Sequence, residues 1–161
     1  MIVFSVKKGE NMKKLISCFV ILFAASVLAF AQSSGQLSEI LESEKASFAQ
    51  ASYLPAIYTN LINENSSPEE AFTALSDNDY FKASVDSEEP ISLSQYCYIC
   101  TKAFGIKGGL FFRLFDSPRY AFKEFKAQGI LPVSADPSAY VSGRDVIDIF
   151  NSCLDIAEGE E

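Results

Sequence analysis

Residues 67–104 slide by fifty positions onto residues 117–154 without a gap, and this internal repeat restricts the possible folds more than any single motif in the chain. Eight of the thirty-eight positions are identical: Ser67/Ser117, Pro68/Pro118, Ala71/Ala121, Phe72/Phe122, Ser84/Ser134, Asp86/Asp136, Ser92/Ser142 and Ile99/Ile149. Apolar character is also kept at Leu75/Phe125, Tyr80/Ile130, Phe81/Leu131, Ile91/Val141 and Phe104/Leu154. Each copy reads as a helix, a loop with a short extended piece, and a second helix. A unit of two helices cannot bury its apolar face alone, so copies have to stack to make a core. Upstream, Tyr53, Leu54, Ile57 and Leu61 reproduce the spacing of Tyr96, Cys97, Cys100 and Phe104, and of Val146, Ile147, Phe150 and Leu154, as the tail of a truncated third copy. The expected fold is all-α, a compact bundle of about six helices made of two helix-loop-helix repeats plus a partial third.

Local signals place the helices. Leu37, Ile40, Leu41 and Phe48 form one face of a stretch from Gln36 to Gln50, interrupted only by Glu44. A second helix is expected over Ser52–Glu64, with Pro55 in its first turn, where a missing N–H has no partner to lose. Ser67-Pro68 followed by Glu69 and Glu70 is a capped, dipole-matched start, and Ser117-Pro118 repeats its cap and proline. Ser92 with Gln95 and Ser142 with Asp145 have capping-box spacing. These last three helices should end near Gly105, Gly129 and Ile156, leaving residues 158–161 as a solvated tail.

The N-terminal block reads as targeting rather than fold. From Met12, Lys13 and Lys14 precede an apolar run from Leu15 to Leu28, and Ala29-Phe30-Ala31 supplies a cleavage site before Gln32. The run is nearer signal-peptide length than the roughly 20 residues of a spanning helix, so no stable membrane span is expected after cleavage. Cys18 lies too early in the run to serve as a lipidation site. Residues 1–11 fit no targeting pattern and read as an upstream mis-start. The expected organisation is a signal peptide over 12–31, a helical repeat domain over 32–157 and a short tail, exported to the periplasm or cell envelope of a bacterium.

Beyond Ala31 the chain carries nine basic and twenty acidic residues, a net charge of about −11. That charge repels nucleic acid and anionic membrane surfaces, so neither is an expected partner. There is no histidine, which removes the commonest general base, the commonest metal ligand and every Ser-His or Cys-His arrangement. No enzyme activity, metal or cofactor is expected.

Asp116-Ser117-Pro118-Arg119-Tyr120-Ala121, Gly129-Ile130-Leu131 and Val141-Ser142-Gly143-Arg144-Asp145 follow one another as an early aromatic-alanine step, a Gly-Ile turn and a boxed second helix. In this order they resemble the S-layer homology module, a repeat of bacterial envelope proteins whose second helix opens with a Thr-Arg-Ala-Glu box. The resemblance covers about two thirds of the chain beyond the signal peptide. It implies a non-catalytic anchoring module that binds a cell-wall polysaccharide, commonly through three repeats, or an envelope protein. Where the family places its ligand-binding arginine, this chain has Leu93 and Gly143, with Arg144 one place later.

Two further stretches carry candidate sites. Gly105 to Phe115 is either a flexible joint with a hydrophobic strap packed on the bundle, or a surface for a carbohydrate or protein partner. The contacts in the second case are Phe111, Arg113, Arg119 and Tyr120, with Arg144 added from the box. Cys97-Tyr98-Ile99-Cys100 has redox spacing, yet both cysteines lie beyond the first turn of their helix and on its core face. Buried structural thiols, a disulfide involving Cys153, and an exported thiol or redox protein using Cys97, Cys100 and Cys153 are the alternatives.

Overall fold

A computed structural model of the chain describes residues 35–81, 84–106 and 114–159; the expected mis-start and signal peptide lie outside them. A compact unit begins at Gln36. Six helices run through the described residues: α1 (35–42), α2 (Phe48–Tyr58), α3 (Pro68–Asp77), α4 (Leu93–Ala103), α5 (Pro118–Ala127) and α6 (Gly143–Gly159). The fold is all-α, as the repeat requires.

The second helices of the three copies, α2, α4 and α6, pack against one another at the centre. The first helix of each full copy packs on the second helix of the copy before it, α3 on α2 and α5 on α4. A helix pair therefore shares its apolar face with its neighbour rather than closing on itself, which is why the unit recurs.

At the N-terminal ends of the central helices, one extended residue from each copy joins a closed ring of backbone hydrogen bonds. Ile91 N–H donates to Ala46 O at 3.0 Å, Ala46 N–H to Val141 O at 2.7 Å, and Val141 N–H to Ile91 O at 3.2 Å. All three residues are buried. Each directly precedes a capping serine. Ser47 N–H donates to Gln50 Oε1 while Gln50 N–H donates to Ser47 Oγ, and Ser142 and Asp145 repeat this exchange. Ser92 N–H likewise donates to Gln95 Oε1. The ring leaves no buried N–H or C=O of these extended residues pointing at apolar core, a group that would otherwise cost about 1–3 kcal/mol. Further along, Tyr58, Phe104 and Phe150, one from each copy, meet with ring centroids 4.1, 5.2 and 6.2 Å apart.

The ring fixes the register of the partial copy. Ala46 and Ser47 match Ile91 and Ser92 at an offset of forty-five, two residues from the alignment of Tyr53 with Tyr96 suggested by apolar spacing. The stretch expected as one helix over 36–50 is broken after residue 42, because Ala46 must extend to join the ring and Ser47 caps a new helix. Pro55 consequently falls in the interior of α2, not its first turn. A proline there removes one helical bond and costs about 3 kcal/mol, and α2 stops one residue short of Thr59, whose hydroxyl donates to the carbonyls of Pro55 and Ala56.

Four helices end in the same way, with a left-handed residue after the cap: Asn60 (φ 58°), Asp79 (φ 60°), Gly105 (φ 60°) and Gly129 (φ 79°). Paired bonds such as Tyr80 N–H to Leu75 O and Asp79 N–H to Ser76 O close each end. The two glycines were legible stops; Asn60 and Asp79 were not. α6 continues to Gly159, past the expected stop near Ile156 and into the tail.

Candidate functional site

The ring spaces the copies so that a cleft opens beside the first residue of each central helix. The first cleft lies between the partial and middle copies. Phe48, at the start of α2, faces Tyr80, Phe81 and Val85 of the middle loop, with Gln95 and Tyr98 of α4, around about 180 Å³. It is aromatic: Phe48 meets Phe81 edge-on at 5.7 Å, and Phe72 stacks on Phe81 at 5.1 Å.

The second cleft repeats the first at six positions, while Pro118 of the first has no counterpart in it. Leu93 stands for Phe48, Ile130, Leu131 and Ala135 for Tyr80, Phe81 and Val85, and Asp145 and Asp148 for Gln95 and Tyr98. Pro132, Asp136, Tyr140 and Ile149 are also in its lining, and it encloses about 350 Å³. At these shared positions, aromatic and amide groups have become aliphatic groups and carboxylates.

The third cleft, between the last and partial copies, holds about 520 Å³ lined by Ser142 and Arg144 on one side and Ser38, Leu41, Glu42, Ser43 and Glu44 on the other. Here α6 starts with Gly143, where a Cβ would lie 1.6 Å from the Ile40 carbonyl oxygen. Any side chain at this position meets the backbone of α1. The positions corresponding to the family's box arginine are thus Phe48, Leu93 and Gly143 in the three clefts, and Arg144 sits among Glu42 and Glu44 instead.

The other sequence candidates separate. Phe111 and Arg113 lie outside the described residues. Arg119 and Tyr120 are together on the first turn of α5: Arg119 is exposed, and the Tyr120 ring stacks on Phe115 at 5.2 Å with Lys123 Nζ 5.1 Å from its centroid. Of the 105–115 stretch, Ile106 packs against the core at one described end, while Leu114 and Phe115 at the other are 66% and 57% exposed. Arg144 belongs to the third cleft and makes no part of this patch.

Cys97, Cys100 and Cys153 are free thiols, all buried between α4 and α6. Tyr96 lies beside them, its hydroxyl donating to Val146 O at 2.8 Å. Burial pushes the thiols of Cys97 and Cys100 well above the ordinary thiol range, with Cys153 adding to both shifts. A reactive thiol needs the opposite, an exposed and electropositive setting that favours the thiolate. Among the described residues, no group of three His, Cys, Asp or Glu side chains could hold a metal ion, and no helix is long and apolar enough to cross a membrane.

No protein-family model, no curated protein and no solved structure matches the chain.

Proposed function

We propose that this protein is an exported, non-catalytic binding module of a bacterial cell envelope, similar in architecture to S-layer homology repeats, that attaches to a wall glycan or an envelope protein. The observation that carries this reading is the ring of Ala46, Ile91 and Val141, which assembles three repeats into one body with a cleft at each junction. Three repeats is also the number through which the resembling family commonly holds its ligand. The clefts offer shape and contact surface, and the chain has no histidine to serve as a general base.

Of the two ligand classes, an envelope protein is the better match. A negatively charged wall polysaccharide calls for cations at the clefts, whereas the box positions are Phe48, Leu93 and Gly143, and the exported chain carries a net charge of about −11. The alternative of an exported thiol protein draws less support, because Cys97, Cys100 and Cys153 are buried, and burial holds Cys97 and Cys100 as thiols.

Co-sedimentation of the exported chain with envelope fractions tests the proposal. The chain should pellet with intact envelopes. Loss of pelleting after protease treatment of the envelopes assigns a protein partner, and loss after glycan stripping assigns the polysaccharide. A chain that stays in the supernatant with intact envelopes overturns the reading.

A further inference from the structure

We infer that the second cleft is a docking site for a basic protein segment, one that presents an apolar side chain flanked by lysine or arginine. This rests on the binding-module reading above and names the partner chemistry for one of its three clefts.

The floor of the cleft is aliphatic. Leu131, Val141 and Ile149 are buried beneath it, and Leu93 forms one wall. Its volume of about 350 Å³ is in the range of sites that enclose a ligand group. On the rim the chain keeps large apolar groups in water: Tyr140 is 54% exposed, and the neighbouring Val133 is 86% exposed. These side chains add to an apolar surface that the fold itself does not use.

Around that floor stand three carboxylates, Asp136, Asp145 and Asp148, and no lysine or arginine is in the lining. Two of them are held in place by local bonds that occupy one oxygen each. Asp136 Oδ1 accepts from Ser138 N–H at 2.8 Å, and Asp145 Oδ2 accepts from Ser142 N–H at 3.0 Å. The second oxygen of each is left for a partner. Two cations stand at the rim, Lys126, whose Nζ donates to the carbonyls of Val133 and Ala135, and Lys45, whose Nζ lies 4.6 Å from the Tyr140 ring centroid; they offset part, not all, of the charge of the three carboxylates.

Comparison with the first cleft shows that this charge is particular to the second. At the positions of Asp145 and Asp148 the middle copy has neutral Gln95 and Tyr98, and no carboxylate is in the lining of the first cleft. The third cleft has Glu42 and Glu44 but places Arg144 beside them. Of the three, the second combines an aliphatic floor with three carboxylates that outnumber the two lysines at its rim. A polyanionic glycan is repelled there, while a basic segment can bury an aliphatic side chain and place its cations against Asp136, Asp145 and Asp148.

Two blocked pentapeptides serve as probes, Lys-Leu-Lys-Leu-Lys and its charge-reversed counterpart Glu-Leu-Glu-Leu-Glu, titrated into the chain recovered from exporting cells and followed by amide NMR shifts. The basic peptide should give saturable shifts at Leu131, Tyr140, Asp148 and Ile149. Asp148→Lys should weaken its binding by about five- to tenfold, the effect expected of reversing one exposed charge contact. Asp77→Lys on α3 is the control with equal net charge and should leave binding unchanged. Equal binding of the acidic peptide, shifts confined to other clefts, or equal weakening by Asp77→Lys overturns the inference. Those results leave the envelope co-sedimentation unaffected, whereas loss of co-sedimentation with peptide binding intact overturns the envelope reading alone.

Discussion

Replacing Gly143 with alanine should cost this fold more than any other glycine substitution among the described residues. The added Cβ lies 1.6 Å from Ile40 O, 2.6 Å from Ile40 C and 2.9 Å from Ser43 Oγ. Carbon and oxygen in contact sit at more than about 3 Å, so the end of α1 has to retreat by roughly 1.5 Å. That retreat strains the bond from Gly143 N–H to Ser43 O, at 2.9 Å, and pulls on Ile40, which is buried in the core. Overpacking costs about 1–3 kcal/mol, a weakened backbone bond about 1 kcal/mol, and partial withdrawal of an isoleucine about another 1 kcal/mol. The sum, about 3–5 kcal/mol, is a large part of the 5–15 kcal/mol that typically holds a domain together. Urea unfolding followed by far-UV circular dichroism measures it, with Gly159→Ala as the control because no atom lies within 4 Å of its Cβ. A Gly143→Ala protein within about 1 kcal/mol of the parent would refute the seating of α1 against α6. The same clash makes arginine at 143 sterically inadmissible, so the missing box arginine in this cleft follows from packing.

Three further outcomes are expected. Ser47→Ala should lose about 1 kcal/mol in the same assay, while Ser117→Ala should change little, because the Ser47 side chain caps α2 and that of Ser117 makes no capping bond. Asn60→Gly and Asp79→Gly should each stabilise the chain by up to about 1 kcal/mol, since both hold left-handed backbone that glycine adopts without penalty. The thiols Cys97, Cys100 and Cys153 should resist a disulfide reagent in the native chain and react on unfolding. Because Cys97 and Cys100 are raised in the folded state, the unfolded chain loses these protons first. The contribution of these thiols to stability should therefore be constant below about pH 9 and fall above it, by up to about 1.4 kcal/mol per pH unit for each thiol, as measured by unfolding across alkaline pH.

Much of the fold is punctuated in the sequence. Ser67-Pro68, Ser92, Ser117-Pro118 and Ser142 open helices where they were expected to, and Gly105 and Gly129 close them, because caps, first-turn prolines and left-handed stops are local chemistry; at Ser117 the proline acts without a side-chain cap. The break between α1 and α2 was hidden by an apolar stripe that runs on through Ile40 and Phe48, two residues buried by different helices. The Ser47-Gln50 box was the signal that marked it. Misreading that start also moved the register of the partial copy by two residues, and without the correct register Phe48, Leu93 and Gly143 do not line up.

The clefts were less legible, since each is lined by residues of more than one copy. Arg119 and Tyr120, expected to share one surface with Arg144, lie on α5, while Arg144 lies in the third cleft. The charge of the second cleft was visible as Asp145 and Asp148. Its meaning depends on the structural match to Gln95 and Tyr98, which periodicity alone does not supply.

The ring of Ala46, Ile91 and Val141 is the joint on which the three-copy body and its clefts depend, and native-state hydrogen exchange at those amides tests it most directly. All three should exchange among the slowest amides in the chain, with one shared free energy equal to that of global unfolding. Fast exchange at Ala46 alongside protected Ile91 and Val141 would show that the partial copy does not close the ring and that the three-copy body does not hold together.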